Sequence, residues 1–140
     1  MADITASATG NPTVESLPED QLTLNTAAAI TALDAIYVNS SGLWAKADAD
    51  AAGTSSMVYI ALRTCASGES LTGSRKCVVD GLDIADLAYG DPLYLSGTAG
   101  AWQDEVGSTQ VEILAARVIP ATGHNIGTTA NKLAKFDIPL

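Results

Sequence analysis

With 140 residues, 47% of them hydrophobic but only 5% aromatic, the chain is long enough for one domain whose core must be built largely from small side chains. Sixteen acidic residues against seven basic ones give a formal charge of −9, which argues against a face that binds nucleic acid through clustered Lys and Arg. No apolar run approaches the roughly 18 residues a membrane span needs, and the start, Met1-Ala2-Asp3-Ile4-Thr5, lacks the basic and apolar regions of a secretory leader.

In chain order, residues 1–21 are rich in Thr, Ser, Asn, Pro and acidic residues. They read as an extended N-terminal arm, either a frayed terminus or a segment that orders on a partner. A single β-domain is expected over 22–140. Leu22-Thr23-Leu24-Asn25 alternates as a strand, and Ala27 to Leu33 fits a helical turn or a strand edge. Ile36-Tyr37-Val38, the turn Asn39-Ser40-Ser41-Gly42 and Leu43-Trp44-Ala45 make a hairpin. Met57 to Leu62 is a strongly apolar strand, Glu69 to Thr72 a short one, and Arg75 to Val79 another. Ile84 to Gly90 suggests a short helix closed by glycine. Leu93-Tyr94-Leu95, Ala101-Trp102-Gln103 and Val111 to Ile119 repeat the order of hairpin then strand, and Pro120 ends the run because proline cannot extend a central ladder. Leu133 to Ile138 alternates as a closing strand. Many short strands between Gly and Ser turns predict an all-β barrel or sandwich.

The chain also echoes itself. Asp34-Ala35-Ile36-Tyr37-Val38 with Gly42-Leu43-Trp44 returns as Asp91-Pro92-Leu93-Tyr94-Leu95 with Gly100-Ala101-Trp102, and each copy runs on into an apolar strand that ends at Arg63 or Arg117. The spacing differs between copies, so this is a divergent pseudo-repeat rather than a solenoid. Tyr37, Trp44, Tyr94 and Trp102 sit at matched places, as core or subunit-interface anchors. The rival reading, tryptophans as sugar-stacking platforms, needs exposed rings.

Chemistry-bearing patterns are sparse. The single histidine, His124, lies in a Gly/Asn/Thr loop with no marked nucleophile, and no GxSxG, phosphate-loop or dinucleotide motif is present. Cys65 and Cys77 stand twelve apart with no second pair, which removes CxxC redox and zinc spacing. They could face each other across a hairpin or lie buried as free thiols, and a reducing cytoplasm suits the latter. The stretch Asp48 to Gly53 lacks the third ligand of a calcium loop, and turn-forming Asp accounts for it. No enzyme, metal or cofactor is expected.

On the residues of the echo the chain resembles the small head decoration, or capsid cement, proteins of tailed phages. Ala35-Ile36-Tyr37-Val38 with Ser41 to Asp50 is similar to their G-D-x-V-Y-x-D-x-x-G-K-x-x-x-A-D-A stretch. Tyr59-Ile60-Ala61-Leu62 is similar to their x-G-I-A-L strand, with Tyr59 where the glycine usually stands. Gly90-Asp91-Pro92-Leu93-Tyr94-Leu95-Ser96, followed by Gly100 and Trp102, resembles A-G-D-P-L-Y-L-S and is the strongest part of a match that covers roughly residues 22–119. The resemblance implies a β-tulip-like protein, made in the host cytoplasm, that oligomerises as a trimer on the virion exterior. There it would bridge subunits of the major capsid protein after expansion. An arm that laces across a neighbour by strand addition would put Thr5, Asn11, Pro12, Val14, Leu17 and Pro18 at the capsid. Another phage structural module, of the tail tube or a fibre, is the alternative, and a carbohydrate-binding module a more distant one.

Overall fold

The computed structural model describes residues 3–5, 13–16, 20–120 and 132–139, with backbone alone for 13–16. Twelve strands occupy these residues: β1 (Asp3–Ile4), β2 (Thr13–Ser16), β3 (Gln21–Asn25), β4 (Ala35–Val38), β5 (Trp44–Lys46), β6 (Val58–Ala61), β7 (Ser70–Ser74), β8 (Lys76–Val79), β9 (Pro92–Leu95), β10 (Trp102–Gln103), β11 (Leu114–Pro120) and β12 (Lys132–Asp137). They form two antiparallel sheets, one of five strands in the order β3-β7-β6-β4-β5 and one of seven in the order β1-β10-β9-β11-β12-β8-β2. The fold is all-β, and neither sheet closes into a barrel through a continuous ladder. The five-stranded sheet curls far enough for its edges to touch at one place, where Thr26 bridges Trp44 in parallel and the Ala27 N–H donates to the Trp44 carbonyl at 2.8 Å. Among the described residues no helix is long and apolar enough to cross a membrane.

The strand orders of the two sheets are related by a constant shift. Adding five to each strand of the smaller sheet gives β10-β9-β11-β12-β8, the inner strands of the larger one. The registers follow: Ala35 pairs Ile60 and Ile36 pairs Tyr59, while Pro92 pairs Arg117 and Leu93 pairs Ala116, each 57 positions further on. Trp44 pairs Val38 as Trp102 pairs Leu95. A single residue, Arg75, separates β7 from β8 and so joins the two halves. Its N–H donates to the Asp20 carbonyl at 3.0 Å and its carbonyl accepts from the Ile138 N–H at 2.9 Å.

Period-two alternation decides the layers. Along β6, Val58 and Ile60 point into the main core, whereas Tyr59 and Ala61 point into a second core on the other face. The main core joins the sheets, gathering Ala35, Val58 and Ile60 with Leu93, Leu95, Trp102, Val118 and Phe136. The second is the interior of the curled sheet, filled by Ile36, Trp44, Tyr59 and Leu71. Gly73 lets the strands close on that interior, since a Cβ there would lie 3.1 Å from Ile36, Trp44 and Tyr59 atoms. Tyr59 meets Trp44 edge to face with ring centroids 5.1 Å apart.

Some local expectations are corrected. Ile84 to Gly90 forms bends and turns rather than a helix, because its N–H groups find partners elsewhere: Gly90 donates to the Val118 carbonyl at 2.7 Å. Val111 to Ile113 lies outside β11, which begins at Leu114 beside a bulge. Within the segment 1–21, the described residues 3–5, 13–16, 20 and 21 lie against the domain. Its β1 pairs with β10 and its β2 with β8, so it supplies both outer strands of the larger sheet, and Ile4 is buried in the main core. Apolar residues as far apart as Ile4 and Val14 give no periodic signal, which is why composition alone reads this segment as an arm.

Candidate functional site

The matched aromatic residues divide between core and flank. Trp44 and Trp102 are 0% exposed, so both rings serve the core of the chain and neither is available to a subunit interface or a sugar. The indole N–H of Trp44 donates to the Leu71 carbonyl at 2.8 Å and that of Trp102 to the Leu33 carbonyl at 2.9 Å, as buried indoles require. Trp102 meets Phe136 edge to face at 5.0 Å. Tyr37 and Tyr94 are half-buried on the strands β4 and β9.

The turns that enter β4 and β9 are built alike. The Asp34 carboxylate accepts from the Thr31 N–H at 2.9 Å, and the Asp91 carboxylate from the Ala88 N–H at 2.9 Å. The preceding residue is left-handed in both, Leu33 at φ 72 and Gly90 at φ 87. Glycine carries that conformation without cost, whereas Leu33 holds it as part of a buried cluster. Burial pushes the Asp34 carboxyl above its ordinary range, against the Thr31 N–H and Lys46, whose Nζ lies 3.6 Å away.

Cys65 and Cys77 are both buried free thiols in separate clusters. Burial pushes the Cys77 thiol from 9.0 up to about 12, with a Ser74 hydrogen bond opposing it. The unfolded chain therefore ionises this thiol above pH 9.0 while the native one stays neutral, so its contribution to stability is intact below 9.0 and lost as the pH rises toward 12. The expected slope is about 1.4 kcal/mol per pH unit in that window. Urea unfolding of Cys77→Ala against the unchanged chain checks it: the variant should lose the alkaline fall, and an identical fall in both would contradict it.

Concavities formed by the described residues include two on the surface. One, of about 260 Å³, is polar and lined by Asp3, Asp50, Ser96, Thr98, Gln103 and Gln110. Several of its groups bond to one another: Ser96 donates to Asp3, and Gln103 donates to Gln110 at 2.6 Å and to the Leu95 carbonyl at 3.2 Å. This ties β1 to the β9–β10 hairpin. The other, of about 380 Å³, crosses β11 and β12 and is lined by Leu114, Ala115, Ala116, Arg117, Ile119, Lys135 and Asp137. Leu114, with 37% exposure, and Val111, with 36%, are among the exposed large apolar residues.

Of the residues expected at a capsid, Thr5 is exposed, and its carbonyl accepts from the Asp83 N–H at 3.0 Å. Val14 belongs to the backbone of β2. Asn11, Pro12, Leu17 and Pro18 lie outside the described residues, as does His124. Among the described residues no three His, Cys, Asp or Glu side chains converge as metal ligands, and Asp48 instead accepts from the Asp50 N–H at 3.1 Å and the Thr54 hydroxyl at 2.9 Å. The groove on β11 and β12 escaped the sequence reading because its apolar members come from both faces of a bulged strand, where Leu114-Ala115-Ala116-Arg117 shows no alternation. No known family model and no curated protein matches this chain.

Proposed function

We propose that this chain is a non-enzymatic capsid decoration protein, which binds the outside of an expanded phage head as a homotrimer and stabilises it by bridging subunits of the major capsid protein. The observation that carries the reading is the placement of β1 and β2, both from the segment 1–21, at the two edges of the larger sheet. β1 and β2 end the strand order, so their outer edges are where a neighbouring strand could add, and strand addition supplies affinity through main-chain bonds. The run Gly90 to Ser96, where the resemblance to decoration proteins is strongest, forms β9 and its entry turn, between β10 and β11 inside the larger sheet. Many modest contacts on a lattice add up through multivalency.

Purified chain mixed with expanded, undecorated heads of the phage that encodes it tests the proposal. Saturable binding at a fixed ratio to the major capsid protein, with a higher disruption temperature of the heads, is the expected result. Heads that stay bare, with the chain assembling into tubes or rings by itself, would favour a tail component instead.

A further inference from the structure

The polar concavity carries acceptors that the fold itself leaves free. It lies where the two halves meet: Asp3 comes from β1, Asp50 from the loop after β5, Gly97 and Thr98 from the β9–β10 turn, and Gln110 from the loop before β11. Backbone bonds clamp these pieces together. The Ala49 N–H donates to the Ser96 carbonyl and the Val111 N–H to the Ala49 carbonyl, both at 2.8 Å, while the Thr98 N–H donates to the Ser96 hydroxyl at 3.0 Å. Gly97 keeps the space open, because a Cβ on it would stand 2.6 Å from the Asp50 carboxylate and closer still to the Gln110 amide nitrogen. A site held in this way spares a ligand the cost of ordering it.

The concavity gathers negative charge without a cation. Asp3 receives the Ser96 hydroxyl on Oδ1, and its second oxygen has no partner among the described residues. The Asp50 carboxylate accepts no bond from them, and no Lys or Arg lines the space. Among the described residues, ion pairs join Lys46 to Asp34 and Arg75 to Asp20, and none reaches Asp3 or Asp50. Gln103 adds a third acceptor. It is only 1% exposed, and both its amide hydrogens are engaged, one by the Leu95 carbonyl and one by Gln110. Its Oε1 accepts from no donor among the described residues. Every side-chain nitrogen or oxygen sealed from solvent among those residues has a partner, so this oxygen is not sealed, and the concavity is where Gln103 meets solvent. A buried amide that spends both donors and keeps its acceptor open calls for a donor from outside.

We propose that this concavity is a guanidinium-binding site, which receives an arginine side chain of a protein partner beside the β1 edge of the larger sheet. Arginine carries its N–H donors in a planar fork, has no acceptor and keeps its charge, the complement of two carboxylates and an amide oxygen. Its paired bonds to a carboxylate are short and directional. A bare divalent cation fits less well. Calcium takes about six to eight oxygens, yet among the described residues no three His, Cys, Asp or Glu side chains converge, and the Gln110 amide nitrogen, a donor, shares the space. A volume of about 260 Å³ suits the head of a side chain rather than an ion. Because β1 ends the larger sheet, the site lies beside the edge where the reading above brings the capsid. The inference rests on that reading for the partner's identity and on the concavity alone for the chemistry.

Nuclear magnetic resonance titration of the full chain with N-acetyl-arginine amide tests it. The backbone N–H signals of Gly97 and Thr98 and the side-chain amide signals of Gln103 and Gln110 should shift together to saturation. The uncharged isostere, N-acetyl-citrulline amide, should bind at least about tenfold more weakly. Asp50→Asn, at an exposed position, should weaken the arginine probe by a similar factor; circular dichroism confirms that it folds, and Asp3→Asn is the second variant. No saturable shift, equal binding of the neutral isostere, an affinity unchanged in both variants, or tighter binding of calcium chloride than of the probe would each overturn the inference. Expanded heads that take up the Asp50→Asn chain as firmly as the unchanged one would overturn the partner's arginine and leave decoration standing. Heads that ignore both chains while the arginine probe binds would uphold the guanidinium site and remove the decoration reading alone.

Discussion

Replacing Trp102 by alanine is expected to cost about 3–5 kcal/mol of folding stability, and Trp44→Ala an amount in the same range. Each indole is fully buried, donates its N–H to a backbone carbonyl and meets a second aromatic ring edge to face. Truncation removes all three contributions at once. It leaves a cavity that small neighbours cannot fill, and it orphans the carbonyl of Leu71 or Leu33. A domain of this size has only about 5–15 kcal/mol to lose, and aromatic residues are scarce here, so each variant gives up a large share. Trp102 should be the costlier of the two, because it stands in the cluster that joins both sheets, whereas Trp44 fills the smaller interior of one. Urea unfolding followed by circular dichroism measures both; a loss below about 1 kcal/mol in either would be at odds with the buried geometry.

Removing residues 1–5 should destabilise the fold by a comparable amount, about 2–5 kcal/mol, the range for deleting a large buried aliphatic side chain. Ile4 is 4% exposed in the main core, and Asp3 and Ile4 pair with Gln103 and Trp102. Without β1 the edge of β10 is open, and open edges recruit other strands. The truncated chain should therefore unfold at lower urea and associate non-specifically at high concentration. Ile4→Ala separates the two effects, because it keeps the strand pairing and loses only the burial. Equal stability of the truncated and full chains would show that β1 does not hold the larger sheet. The same coupling governs any test of a capsid tether: deleting all of residues 1–21 removes β1 and β2 along with the tether, so exposed positions such as Thr5 are the ones to alter.

Most of the strands could be read from the sequence because their apolar residues alternate or cluster between glycine and serine turns. The hairpins at Ile36 to Ala45 and at Leu93 to Gln103 are the clearest cases, and the echo between them coincides with strand orders that match under a shift of five. Tertiary pairing decided what local pattern could not. β1 is two residues long and exists because β10 offers an edge. The turns at Ile84 to Gly90 look helical in composition, yet the backbone there bonds to β11 and to neighbouring turns. Trp44 and Trp102 are visible as anchors from their matched places, but whether a tryptophan faces a core or a partner depends on how two sheets meet, which no single strand encodes. The groove was hidden for the same reason. Its residues come together only when β11 and β12 lie side by side.

Electron cryomicroscopy of expanded heads incubated with the chain tests the central proposal most directly. The account predicts added density on the outer surface of the shell, shaped as rings of β-domains, with each ring touching more than one major capsid subunit. Shells that remain bare while the chain stays in the supernatant, or density confined to the tail, would contradict it.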